Sequence, residues 1–350
     1  MLKEKEVIEK VKQQIRRLLP ETELATVEDY RLDNKRLVDL VCDVKTKAGK
    51  KYEIWVEAKS QGLPRNIRSA VSQLNSYLKT RKDVFGLIVA PFLSEESRQI
   101  CIESGLNYLD LSGNCLLKLP DIYIKIDGKP NKYPSTRPLR SVFSPKSTRL
   151  LRVLLNDVRK SWYVKDLAKS ANLSLGQVSN LKKQLLDYDY LRETNEGKLQ
   201  VKDPECLLMK WAEKYDYTKN RIESFYSLDN IGIIENLIAN KALNKGVQYA
   251  FTLTSGSIRV APFLRSKRVF VYIDSDLYQF AKECNFKKVD SGANVILMKP
   301  YDKGVFYFKQ EINGADVVSD VQLYLDLITY KERGQEAAEF ILTERLRKSW

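Results

Sequence analysis

Val164-Lys-Asp-Leu-Ala-Lys-Ser-Ala-Asn-Leu-Ser174-Leu-Gly-Gln-Val-Ser-Asn-Leu-Lys-Lys-Gln-Leu-Leu186 holds two helical patterns joined by a turn at Ala171-Asn172-Leu173. In the first, Val164, Leu167 and Ala168 share one face. In the second, Ser174 is placed to cap a helix running to about Leu186, with Leu175, Val178, Leu181 and Leu185 inward. The opposite face carries Gly176, Gln177, Asn180, Lys183 and Gln184. Gln and Asn suit paired contacts to adenine, Lys suits guanine or phosphate, and Gly176 lets the backbone come close to a groove.

Working outward, Ser147–Leu155 forms an earlier helix through Leu150, Leu151, Val153 and Leu154. On the other side, Tyr190–Val201 is a hairpin centred on Asn195-Glu196-Gly197 with alternating flanks. Together these elements predict a winged helix-turn-helix from about Ser144 to Lys202, with Lys198 near the wing tip in reach of a phosphate. Ser174, Gly176, Gln177, Asn180, Lys183, Gln184 and Lys198 are the candidate DNA-binding residues, and double-stranded DNA is the expected partner. The competing reading is a winged helix used for protein contacts.

Charge placement favours DNA. The chain has 350 residues and a net charge of +14, and residues 135–202 hold 14 Lys/Arg against 6 Asp/Glu. More than half of the excess therefore sits in about a fifth of the chain, on the motif itself. The length predicts two or three domains, and 43% hydrophobic residues allow proper cores. No apolar run approaches the ~20 residues of a membrane helix. The charged, amphipathic N-terminus is not a secretory leader. Five scattered cysteines without a C-x-x-C pair suit a reducing cytoplasm, the expected location. Histidine is absent, which excludes His-ligated zinc and Ser-His or Cys-His catalysis; any hydrolysis must use carboxylates, lysine and a hard metal ion.

The polar stretch Gly128–Pro138 reads as a linker, and a weaker boundary falls near Tyr215–Arg221. The expected domains are therefore 1–134, 135–215 and 216–350. Within the first, helices are expected at Lys3–Leu19, Pro64–Lys79 and Ser94–Ser104. Strands are expected at Arg36–Thr46, Lys51–Ala58, Val84–Ala90, Leu106–Leu111, Cys115–Leu119 and Ile122–Ile126, giving a partly parallel sheet covered by helices.

The second of these strands reads Lys51-Tyr-Glu-Ile-Trp-Val-Glu57-Ala-Lys59. Alternation puts Glu57 and Lys59 on one side while Val56 and Ala58 face the core. Asp39 lies among aliphatics in Leu37-Val-Asp-Leu-Val41, where a carboxylate is costly without a partner. The next helix carries Gln73 and Tyr77 at i and i+4. This ordered set, Asp39, Glu57-Ala58-Lys59, Gln73 and Tyr77, resembles the PD-(D/E)xK nucleases, including the Q-x-x-x-Y feature of RecB-like members. The resemblance implies a restriction-endonuclease-like α/β/α domain with Asp39 and Glu57 as ligands to Mg2+ (or Mn2+). It also implies that Lys59 orients water or stabilises charge. The sequence departs from the literal Pro-Asp pair, since Val38 precedes Asp39. The competing reading is a surface ion pair and ordinary helix packing.

A wider resemblance rests on Tyr108-Leu-Asp-Leu-Ser-Gly-Asn-Cys115, Ser141-Val-Phe-Ser-Pro-Lys146, Ser174–Asn180, Ala250-Phe-Thr-Leu-Thr254, Val318–Asp326 and Arg333–Glu339. The C-terminal half is similar to AbiEi-type antitoxins of type IV toxin–antitoxin systems. Those are winged-helix repressors that bind their own promoter and counter a nucleotidyltransferase toxin. Gly256-Ser257 followed by Tyr272-Ile-Asp274-Ser-Asp276 resembles a nucleotidyltransferase pattern, giving an expected α+β nucleotidyltransferase-like domain. The same residues also read as a strand at Val269–Ile273 running into a capped helix at Asp276–Cys284.

The whole is thus expected to be an α/β multidomain protein whose winged helix targets a Mg2+-dependent endonuclease-like domain. The alternative is a non-catalytic regulator or antitoxin bound to promoter DNA. A homodimer and a toxin or defence-system partner are compatible with either reading, although no heptad seam announces a dimer.

Overall fold

The computed structural model describes residues 2–20, 22–32, 35–79, 81, 83–134, 142–260 and 267–350, with the backbone alone at 29–32 and 35–37. The chain divides into two compact units, Met1–Pro138 with Leu186–Asp189, and Leu139–Leu185 with Tyr190–Trp350. The end of the expected linker, 135–138, and Ser141 at the start of the Ser141–Lys146 stretch lie outside the described residues. The boundary expected at 215/216 falls inside the second unit.

The first unit opens with α1 (Glu4–Leu18), whose first turn carries Glu4 and Glu6 and whose last turn carries Arg16 and Arg17, each matched to the helix dipole. Val7, Ile8, Val11 and Ile15 are buried, while Leu18 packs half-buried at the edge of the same cluster. Then follow β1 (Glu23–Leu32), β2 (Lys35–Lys45), β3 (Lys51–Ala58), α2 (Pro64–Leu78), β4 (Val84–Ala90), α3 (Glu95–Glu103), β5 (Asn107–Asp110), β6 (Cys115–Leu119) and β7 (Ile122–Ile126). The seven strands form one sheet in chain order. The β3–β4 and β4–β5 pairs are parallel and the others antiparallel. That is the partly parallel sheet expected from the alternation of helices and apolar runs. The unforeseen strand is β1, an edge strand in which acids interrupt the apolar residues; it exists because β2 offers it a ladder from Glu23↔Lys45 onward.

Each face of this sheet has its own core. Leu40, Cys42, Ile54, Val56, Ala58, Leu87 and Val89 pack with α1. Val38, Val41, Trp55, Ile88 and Ala90 pack with Ile67 and Leu74 of α2 and Ile100 of α3. Burial on both faces is the reason the central strands read as nearly continuous apolar runs.

The second unit begins with α4 (Thr148–Asn156), α5 (Val164–Ala171), α6 (Leu175–Asp187) and the hairpin β8 (Leu191–Glu193)–β9 (Leu199–Val201). Asn172 ends α5 in the left-handed conformation (φ 50°), which makes the turn. Trp162, between α4 and α5, pairs antiparallel with Leu199 and so adds a third short segment to the hairpin. After α7 (Pro204–Ala212) come β10 (Arg221–Tyr226), α8 (Ile231–Lys245), β11 (Tyr249–Phe251), α9 (Leu253–Val260), β12 (Val269–Ile273), α10 (Leu277–Glu283), β13 (Lys287–Lys288), β14 (Val295–Lys299), β15 (Gln310–Ile312), β16 (Ala315–Val317), α11 (Asp320–Ile328) and α12 (Gly334–Ile341). Their mixed seven-stranded sheet runs β13-β10-β14-β12-β11-β16-β15.

Polar contacts tie α4 to this second sheet region. The Arg149 guanidinium donates to both oxygens of Asp302 at 2.7–3.0 Å. Buried Arg152 donates to Thr148 Oγ1 at 2.8 Å and to Gln322 Oε1, and its guanidinium lies 4.8 Å from the Trp211 ring centre. Among the described residues, no helix is long and apolar enough to cross a membrane.

Candidate functional site

The acidic site is built where the β2–β3 ladder ends. Backbone pairing runs from Lys45↔Lys51 to Leu40↔Val56. Just past it, the Asp39 carboxylate accepts the Ala58 N–H at 2.7 Å. Pleating places Glu57 on the Trp55 side of β3, and Lys59 follows two residues on; its Nζ donates to Glu57 Oε1 at 2.6 Å. Asp39 and Glu57 are 6% and 5% exposed, so both carboxylates lie in the protein interior. Burial pushes the Glu57 carboxyl above its ordinary value. The hydrogen bond from Lys59 opposes this, and the charges of Asp39 and Glu4 add to the rise.

Beside these residues lies a cleft of about 250 Å³ lined by Glu4, Lys59, Ser60, Asn66 and Ser69. Asn66 and Ser69 come from α2, and Gln73 continues their stripe at i+7 and i+4 on its exposed side. Tyr77 packs half-buried against the α2 core cluster. The structure therefore brings Asp39, Glu57 and Lys59 together; of the expected residues Lys59 lines the cleft, whereas Asp39, Glu57, Gln73 and Tyr77 are not among its lining residues. Glu4, Ser60, Asn66 and Ser69 were not foreseen. Glu4 reads in sequence as a first-turn acid suited to the helix dipole; only the polar spacing of Asn66 and Ser69 carried a signal.

Among the described residues, no three of Asp, Glu, Cys or His gather in metal-ligating geometry. Mg2+ is commonly held by one or two carboxylates and its own waters, so the Asp39 and Glu57 oxygens fit it chemically. The buried thiols offer no competing nucleophile: burial pushes Cys42 and Cys101 up to about 12.

In the second unit, α6 buries Val178, Leu181 and Leu185. It exposes Gly176, Gln177, Asn180 and Lys183, and leaves Gln184 half-buried. Leu175 corrects the expected inward stripe, for it is 55% exposed. The cap is at Ser174 as expected: its Oγ accepts the Gln177 N–H at 3.3 Å. In return Gln177 Oε1 accepts from Ser174 N at 3.1 Å and Oγ at 3.2 Å, a capping box. Gln177 thus has a local task that competes with reading a base. On the hairpin, Lys198 pairs with Glu196 and sits 5.2 Å from the ring centre of exposed Tyr163.

The C-terminal acids have structural tasks. Asp274 pairs with Lys303 at 2.7 Å, and Asp276 caps α10 by accepting the Gln279 N–H at 2.9 Å. Gly256 and Ser257 are buried within α9, where a Cβ on Gly256 would meet Leu323 at 3.0 Å. The geometry is that of a strand entering a capped helix. Nearby, fully buried Asp326 accepts from Tyr215, Thr252, Tyr272 and Gln322. Burial pushes its carboxyl up to about 6 against the pull of those hydrogen bonds.

Residues 200–347 match the family described as transcriptional regulator, AbiEi antitoxin, type IV TA system, so the C-terminal segment is similar to that family. No curated protein matches the chain. Two solved structures show faint likeness. A repair endonuclease from Pyrococcus abyssi is 20% identical over 32% of this chain and 48% of that one, with a TM-score of 0.24. EndoMS in apo form is 17% identical over 32% and 47%, with a TM-score of 0.22. The chain spans about half the length of each.

Proposed function

We propose that this chain is a cytoplasmic DNA-binding protein in which a winged helix (α4–α6 with the β8–β9 hairpin) directs a Mg2+-dependent endonuclease unit of PD-(D/E)xK type to DNA. The observation that carries the reading is the convergence of Asp39, Glu57 and Lys59 beside a polar cleft. Asp39 and Glu57 would hold the ion, whose chemistry is to make a bound water acidic and to neutralise a phosphate. Lys59, lining the cleft with its ammonium directed by Glu57, places positive charge where a pentavalent phosphate would develop negative charge. Ser60, Asn66 and Ser69 supply neutral donors on the cleft wall. On α6, Asn180 and Lys183 are the exposed side chains suited to base and phosphate contacts, and Lys198 with Tyr163 is suited to a phosphate at the wing.

A second reading, a non-catalytic regulator or antitoxin bound to promoter DNA and a toxin partner, is favoured by the family match over residues 200–347. Incubation of supercoiled plasmid with Mg2+ or Mn2+ separates the two. The endonuclease reading expects nicking or linearisation by the wild type and a loss of at least ~100-fold in Lys59→Ala, with gel-shift affinity retained. Intact plasmid beside a full gel shift for both proteins overturns the endonuclease and leaves the regulator.

A further inference from the structure

We infer that Leu175 reads the 5-methyl group of thymine in the major groove, so that the DNA recognised by this protein requires a T·A pair opposite the first turn of α6. The inference rests on the winged-helix reading above and deepens it by naming a specificity residue and the base that it selects.

Three observations on the first turn carry it. Leu175 is 55% exposed, although Val178, Leu181 and Leu185 of the same apolar series are buried. It is the first residue of α6, and the N-terminal residues of a recognition helix are those that meet base edges. Its neighbours are poor readers. Ser174 and Gln177 are closed on each other in the capping box. Gly176 has no side chain, and nothing lies within 4 Å of where a Cβ would stand. The first turn therefore presents one large apolar group with open space beside it and no free amide pair. Of the four bases, only thymine shows an apolar group, its methyl, in the major groove. Asn180 and Lys183, exposed further along α6, are left to read hydrogen-bonding edges at adjoining positions.

The test uses the full-length protein and duplexes enriched by it from a randomised library. In the enriched duplex each thymine is replaced in turn by deoxyuridine, which removes only the 5-methyl. At one or two positions the wild type is expected to lose about fourfold in affinity, the worth of one buried methyl. In Leu175→Ala, affinity for the thymine duplex falls by that same factor and the uridine penalty vanishes, while thermal melting stays that of the wild type. Equal affinity for thymine and uridine at every position overturns the inference, as does a uridine penalty that persists in Leu175→Ala. Leu175→Ala that binds both duplexes like the wild type but sediments as a smaller species would place Leu175 between copies of the chain and also overturn it. Failure to enrich any sequence removes base reading altogether, and failure to bind DNA removes the winged-helix reading with it; the two are told apart by a gel shift on unselected DNA.

Discussion

Two buried carboxylate sites in this chain differ in how completely the protein occupies them. Asp326, in the second unit, receives four hydrogen bonds from neutral side chains inside a sealed interior. Glu57, in the first unit, is held by Lys59, and Lys59 itself lines an open cleft. In both, burial raises the carboxyl above its ordinary value. A buried acid is therefore not by itself a sign of chemistry. A carboxylate saturated by tyrosine, threonine and glutamine ties elements together, whereas Glu57, paired with a lysine that lines a cleft, is on the proposed reading a ligand for an entering ion.

The sharpest way to break this contrast is Asp326→Ala. It leaves four donors without their acceptor and should lower the unfolding free energy by about 3–5 kcal/mol, read as a fall in the urea midpoint; a loss under ~1 kcal/mol would mean that Asp326 does not hold the fold together. The same pair of proteins carries a pH signature. The folded carboxyl of Asp326 titrates at about 6 against an ordinary 3.8, so the folded state binds the proton more tightly. Its contribution is complete below about pH 3.8 and is lost as pH rises through about 6, by up to ~3 kcal/mol. Urea titrations at acid and neutral pH should therefore show the stability gap between wild type and Asp326→Ala narrowing as the pH rises.

Glu57→Gln sharpens the other half. Removing a charge from a buried site keeps an acceptor for Lys59 and relieves desolvation, so stability should rise by roughly 1 kcal/mol while Mg2+-dependent cleavage disappears. A destabilised variant would mean that Glu57 serves the fold as Asp326 does. The smallest effect is expected at Asp274, whose partner Lys303 is 68% exposed: Asp274→Asn should move the midpoint by less than about 0.5 kcal/mol. A larger change would give this acid a weight that its surface ion pair does not account for.

Much of the first unit was legible from periodicity. The expected strands at Lys51–Ala58, Val84–Ala90, Cys115–Leu119 and Ile122–Ile126 coincide with β3, β4, β6 and β7: β4 and the end of β3 are buried on both faces and leave apolar runs, while β6 and β7 alternate between buried or half-buried and exposed positions. The edge strand β1 was not legible, since its acids suit an exposed edge and its ladder is supplied by β2. In the candidate site, Asp39, Glu57 and Lys59 could be named because a carboxylate among aliphatics and an acid–lysine pair two residues apart leave local marks. Glu4 could not be named, because its nearness to Lys59 depends on where α1 ends in space. Asp326 left little mark either: within Leu325-Asp326-Leu327 it reads as an isolated acid, and apart from Gln322 one turn earlier on α11 its partners Tyr215, Thr252 and Tyr272 come from three distant places in the chain.

The sequence by itself determined most of the helices and central strands, the cap at Ser174, and the side of β3 on which Glu57 and Lys59 project. These follow from the 3.6- and 2-residue periods and from local hydrogen bonding, which act within one element. Tertiary structure alone decided that Leu175 stays outside while Val178 goes in, that a cleft opens at Lys59, and that Asp326 is sealed among tyrosines. Periodicity sets the direction of a side chain relative to its own backbone. Which other element arrives there, and whether it stops one residue short, is settled only by packing.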